Sequence, residues 1–159
     1  MVALAPAPDF FDRAAAQQPP PGFDVMPLNF GFLGINGPVF KRIDEDGRVI
    51  FGCRIMPSMC NPMGVSHGGW LATMIDIVLP LTVRLTDPDF FERFLMTVSL
   101  NIDYLAGPKE GEWLEGTARI LRKTKRLLFI DGTLTVGDET VTRASGIFRV
   151  GPPAPPLGT

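Results

Sequence analysis

Residues 68–85 read GGWLATMIDIVLPLTVRL. Apolar side chains fall on nearly every side of the helix this stretch would form, so the segment is expected to be buried all round rather than to lie on a surface. It is not expected to cross a membrane. The run 68–83 is interrupted by Asp76 and Pro80 and falls short of the roughly 20 apolar residues that a spanning helix takes. Pro80 removes one backbone donor inside the helix, and a kink is expected there.

On both sides of this helix the chain reads as strands. Residues 37–43 and 48–56 flank Asp44-Glu45-Asp46-Gly47, where Asp-Gly is the hairpin signal. A loop follows Pro57 up to Ser66, broken by Asn61-Pro62 and Gly64. Residues 86–93 read as a loop or short helix. Residues 95–105 then alternate with period two. Met96, Val98, Leu100, Ile102 and Tyr104 share one face, and Thr97, Ser99, Asn101 and Asp103 share the polar one. Three further strands are expected at 113–124, 126–136 and 140–150, with Gly137-Asp138 as the last tight turn. With a single long helix, a doubly wound parallel sheet is excluded. The economical arrangement is α+β: an antiparallel sheet of about six strands wrapped around the helix.

Composition narrows the class. A chain of 159 residues, 45% apolar and 20% charged, is expected to form one globular domain, and its apolar surplus is expected to be covered at a subunit interface. A net charge of −2 argues against a nucleic-acid partner. Cys53 and Cys60 fit neither a disulfide framework nor a zinc pattern, and His67 is the single histidine, so no multi-histidine metal site is expected within one chain. Ten of the 16 prolines lie in residues 1–27 and 152–156. The expected division is a Pro-rich extension at 1–27 (with 9–18 able to form a short helix), a compact domain at 28–150 and a Pro-rich tail at 151–159. The first residues show neither a basic nor an apolar signal region, which points to the cytoplasm.

Chemistry concentrates in residues 61–76, NPMGVSHGGWLATMID. Gly68-Gly69 opens the helix, where unpaired N–H groups and the positive dipole end could face a developing oxyanion; a tight loop-to-helix turn would need the same glycines. Asp76 is the lone ionisable side chain from 68 to 83. Burial would raise its pKa toward that of a general base, or a neighbouring hydroxyl or amide could simply satisfy it. Gly64-Val65-Ser66-His67-Gly68 matches the nucleophile-elbow pattern, but no histidine follows it to serve as base, so Ser66 is read as the helix N-cap. Gly68 and Asp76 are separated by ~12 Å of helical rise, too far to meet one carbonyl from one helix. Two helices related by a two-fold axis could bring Gly68 of one subunit to Asp76 of the other.

Asn61, Gly64, His67-Gly68-Gly69 and Asp76 resemble the N…G..HGG……D signature of hotdog-fold thioesterases, closest to the phenylacetic-acid-degradation (PaaI-like) branch of the 4-hydroxybenzoyl-CoA thioesterase superfamily. The resemblance covers roughly residues 29–150. It implies an acyl-CoA substrate, hydrolysis without metal or redox cofactor, a dimer as the minimum unit and a homotetramer as the usual assembly. It implies that the Gly68 N–H polarises the thioester carbonyl, that Asp76 of the partner acts as base or nucleophile, and that Asn61 orients water or thioester. Thr97 would assist the acid. His67, Gly69 and Trp70 would lie beside the substrate, His67 mainly shaping the turn; Trp70, directly after the glycine pair, departs from the family pattern, and its ring would trim or block the acyl pocket. Arg122, Lys123 and Arg126, in the basic cluster with Arg119 and Lys125, would hold the phosphates of coenzyme A, although a solvated hairpin tip would look the same in sequence. Two competing readings are an acyl-CoA-binding protein without turnover and, lower, an acyl-thioester hydratase.

Overall fold

The computed structural model describes residues 6–154. In chain order these form α1 (Phe10–Ala16), β1 (Asp24–Val25), α2 (Gly31–Asn36), β2 (Phe40–Ile43), β3 (Val49–Arg54), α3 (Gly68–Thr86), β4 (Arg93–Tyr104), β5 (Trp113–Lys123), β6 (Leu127–Val136) and β7 (Glu139–Pro153). Single 3-10 turns at Pro57–Met59 and Pro88–Phe90 flank α3 in the chain. The strands make one antiparallel sheet in the order β1-β2-β3-β5-β6-β7-β4, with α3 packed against it: the hotdog arrangement. The sheet has seven strands rather than about six, because Asp24–Val25 pairs with Phe40 and Lys41 at the β2 edge.

The inner face of the sheet and α3 share one core. Phe51, Cys53, Leu114, Leu128, Ile130 and Phe148 meet Leu71, Met74, Ile75, Val78 and Leu79, all at most 2% exposed. Glycines set how closely the helix sits. A Cβ at Gly116 would come within 2.6 Å of the Val78 side chain, and one at Gly132 within 2.5 Å of Leu79. The helix continues through Pro80 to Thr86. A proline inside a helix costs about 3 kcal/mol relative to alanine, and fully burying a single Val or Leu side chain contributes about 1.5–3 kcal/mol, so the neighbours Val78 and Leu79 offset it. The helix is long and apolar enough to cross a membrane, but most of it is buried in the body of the protein, as a core helix is.

Residues 10–26 fold onto this body. Phe10 and Met26 are at most 1% exposed, and Phe23 packs edge-on against Trp113. Two arginines fasten the segment by capping helix ends, where carbonyls lack intrahelical donors. Arg13 donates to the carbonyls of Gly34, Ile35 and Gly37, and Arg54 to those of Gln17 and Gln18. The packed body therefore takes in much of the stretch that its prolines set apart in sequence. At the other end β7 runs on to Pro153, and 155–159 of the expected tail lie outside the described residues.

The two sheet edges differ. One is the two-residue β1. The other is the twelve-residue β4, which exposes Phe94, Val98 and Tyr104.

Candidate active site

Loop 57–67 delivers the chain to α3. Asn61 folds it back, its Oδ1 accepting from the Met63 N–H at 2.9 Å. The two N–H donors of the Asn61 side-chain amide have no acceptor among the described residues. Gly64 supplies the positive φ of 74° that the turn needs. The His67 N–H then donates to the Met59 carbonyl at 2.8 Å, locking the loop to the turn before it.

His67, not Ser66, is the N-cap of α3. Its Nδ1 accepts from the Gly69 N–H at 2.9 Å. Ser66 is buried and donates its backbone N–H to Pro108, which pulls it out of the capping position. Capping at Gly69 leaves the Gly68 N–H without an acceptor among the described residues, at the positive end of a 19-residue helix.

Two turns on, Asp76 is half-buried rather than enclosed. The Thr97 hydroxyl donates to its Oδ1 at 2.7 Å. Alternation in sequence puts Thr97 on the face opposite the helix, with Asn101 and Asp103. The structure corrects this. The pairing of β4 with β7 runs Thr97↔Phe148 and then Ser99↔Ile147, so Val98 is an extra residue, a β-bulge. Before the bulge, Leu95 and Thr97 face α3; after it, Leu100 and Ile102 do. Bulges re-aim side chains next to sites in this way.

Asp76 and Thr97 lie on the wall of a cavity of about 710 Å³ between α2, α3 and β4. Its other walls are mostly apolar, among them Phe32, Leu33, Ile77, Pro80, Phe94 and Leu100. Arg84 stands at its far end, donating to the Phe91 carbonyl at 3.1 Å, with burial lowering its pKa. The sequence reading found neither Arg84 nor the α2 residues Phe32 and Leu33.

His67, Gly69 and Trp70 line a different cavity, of about 610 Å³, with Met59, Cys60 and Arg13. Within one protomer Trp70 does not line the cavity that holds Asp76. It is 7% exposed and belongs to the core cluster. Thr73 touches both cavities. Neither cysteine competes as a nucleophile. Burial pushes the Cys53 thiol up to about 12, and desolvation also raises that of Cys60.

The basic cluster splits. A second bulge, at Leu121 in β5, turns Lys123 toward the C-terminal end of α3, where its ammonium sits 2.5 Å from Asp87 and 3.8 Å from Asp89. The contact with Asp87 raises the Lys123 pKa. Arg119 pairs with Asp131 at 3.6 Å. Arg122 and Arg126 are exposed and have no acidic partner among the described residues. This hairpin stands beside Asp87, ~28 Å along α3 from Gly68.

The chain thus combines a hotdog sheet with a hydroxyl-held carboxylate on the helix and an unclaimed N–H at the helix start. The family model described as "Thioesterase superfamily" matches residues 63–142, and the chain belongs to that superfamily. A Pseudomonas aeruginosa protein named as a candidate esterase is 30% identical over 82% of this chain and 96% of its own. Human acyl-coenzyme A thioesterase 13 is 32% identical over 56% of this chain and 61% of its own. Among solved structures, a Bacillus halodurans protein crystallised with CoA is 30% identical, covers 69% of this chain and 72% of its own, and superposes with a TM-score of 0.62. A phenylacetic acid degradation-related protein of Ralstonia eutropha is 25% identical, covers 89% of this chain and 99% of its own, and has a TM-score of 0.64.

Proposed function

We propose that the protein hydrolyses acyl-CoA thioesters in sites shared between two protomers. The observation that carries this reading is the Asp76 carboxylate, held by the Thr97 hydroxyl at 2.7 Å on the wall of a mostly apolar cavity. An oriented carboxylate beside apolar space can deprotonate water without being fully solvated itself. The oxygen of that water bonds to the thioester carbonyl carbon as its proton passes to Asp76. The carbonyl oxygen becomes an oxyanion, which the Gly68 N–H of the partner stabilises with the helix dipole behind it. Asn61, on the loop before Gly68, offers its amide N–H to the same oxygen. When the oxyanion collapses, the C–S bond breaks. Coenzyme A leaves as a thiolate and recovers the proton from Asp76, giving free acid and thiol.

Gly68 and Asp76 of one helix stand ~12 Å apart, so each site takes one of them from each protomer. The long open edge at β4, carrying Phe94, Val98 and Tyr104, supports pairing with a second copy. Two such dimers would make the tetramer.

Thiol release from phenylacetyl-, benzoyl-, acetyl-, hexanoyl- and lauroyl-CoA tests the reading. Hydrolysis of any of them supports it, and no release by the folded protein would overturn it.

Two variants probe separate parts. Thr97→Ala should lower kcat about tenfold while Thr97→Ser keeps most of it, since a hydrogen bond to a charged group contributes about 1.5–3 kcal/mol. Steady-state kinetics of the pair checks this. Charge reversal at Arg122 and Arg126 together should raise KM several-fold with kcat little changed, if these exposed cations meet the phosphates of coenzyme A. An unaltered KM would leave them as a solvated hairpin tip.

A further inference from the structure

Pro80 stands four residues after Asp76 in an unbroken helix, and both line the same cavity. A regular helix would satisfy the Asp76 carbonyl with the N–H of residue 80, and proline has none. Elsewhere on α3 hydroxyls return to carbonyls four residues back. Thr73 donates to Gly69, Thr82 to Val78 and Thr86 to Thr82, at 3.0, 2.8 and 2.7 Å. No side chain among the described residues does this for the Asp76 carbonyl. Residue 76 thus carries two kinds of acceptor beside this cavity. One is a carboxylate whose Oδ1 is engaged by Thr97 and whose Oδ2 is not; the other is a main-chain oxygen whose regular helical donor, the N–H of residue 80, is absent.

We propose that Pro80 is a positioning residue: by freeing the Asp76 carbonyl it gives the attacking water a second anchor, beside the carboxylate that takes its proton. This rests on the hydrolytic reading above. A water has two hydrogens. One donates to the Asp76 carboxylate and is the proton transferred. The other donates to the Asp76 carbonyl and stays with the oxygen that joins the acyl group. Holding both fixes the direction of the oxygen lone pair that attacks. The same cavity wall therefore supplies base and alignment from one residue, and an otherwise unfavourable proline acquires a role.

Pro80→Ala restores the N–H. The expected result is a fall in kcat of about tenfold with KM unchanged, at an equal or higher melting temperature. A merely structural proline would leave kcat alone or move KM and stability with it. High-resolution crystal structures of both proteins supply a readout independent of turnover. The wild type should show a water bonded to both the Asp76 carbonyl and its carboxylate. Pro80→Ala should lack that water while keeping the Thr97–Asp76 contact. Equal kcat in the two proteins, or no such water in the wild type, overturns the proposal. Loss of all thioester hydrolysis from the wild type itself would instead overturn the functional reading, and the water would still decide the role of Pro80.

Discussion

Asp76→Asn should lower kcat by about 10³-fold against every thioester the wild type hydrolyses, while the protein melts at nearly the wild-type temperature. The two side chains are nearly isosteric, and the asparagine Oδ1 can still accept from Thr97, so the 2.7 Å contact and the bulge that creates it survive. What is lost is the proton acceptor, and positioned acid–base groups contribute typically 10²–10⁴-fold. Thiol release measured beside a thermal melt checks both halves. A variant that keeps its turnover would remove Asp76 from the chemistry.

Gly68→Pro should cost about 10²–10³-fold in kcat, again with the fold intact. The substitution deletes the N–H proposed to face the oxyanion and little else. Position 68 is the first residue of α3, where proline is favoured because no helical bond is lost. His67 before it is extended, at φ −65° and ψ 137°, as a residue preceding proline prefers to be. A Cβ there would meet the Tyr104 ring at 3.6 Å, an ordinary contact. The His67 cap on Gly69 is untouched. Kinetics on the best substrate, with circular dichroism as the control for folding, tests it. Wild-type kcat in a folded variant would exclude the Gly68 N–H from the oxyanion site.

The long helix and the alternating strands were legible because hydrophobic periodicity is a local property. Residues 68–85 announce a buried helix by being apolar on all sides, and the observed helix spans Gly68–Thr86. The short pieces were not legible. The six residues of α2, with two glycines, carry too little pattern for a helix, yet they supply Phe32 and Leu33 to the cavity wall. The inserted Val98 is invisible to a period-two reading, which continues the alternation through it and sends Thr97 to the wrong face. Which cavity Trp70 lines within one protomer was not legible for a related reason. A helix apolar all round does not say which side faces which cavity, and packing against the core settles that. Lys123 finds its partner Asp87 36 residues away, a pairing that chain composition cannot show.

The central claim is that Gly68 and Asp76 act together from different protomers. It is tested most directly by unfolding Asp76→Asn and Gly68→Pro subunits together in equal amounts, refolding the mixture and measuring thiol release. Each variant alone should be nearly inactive. Random pairing makes half the dimers mixed, and each mixed dimer holds one site with both groups intact, so about a quarter of wild-type activity should return. A mixture no more active than the average of the two variants, with mixed dimers shown by mass spectrometry, would mean that each chain carries a complete site, and the shared mechanism would be wrong.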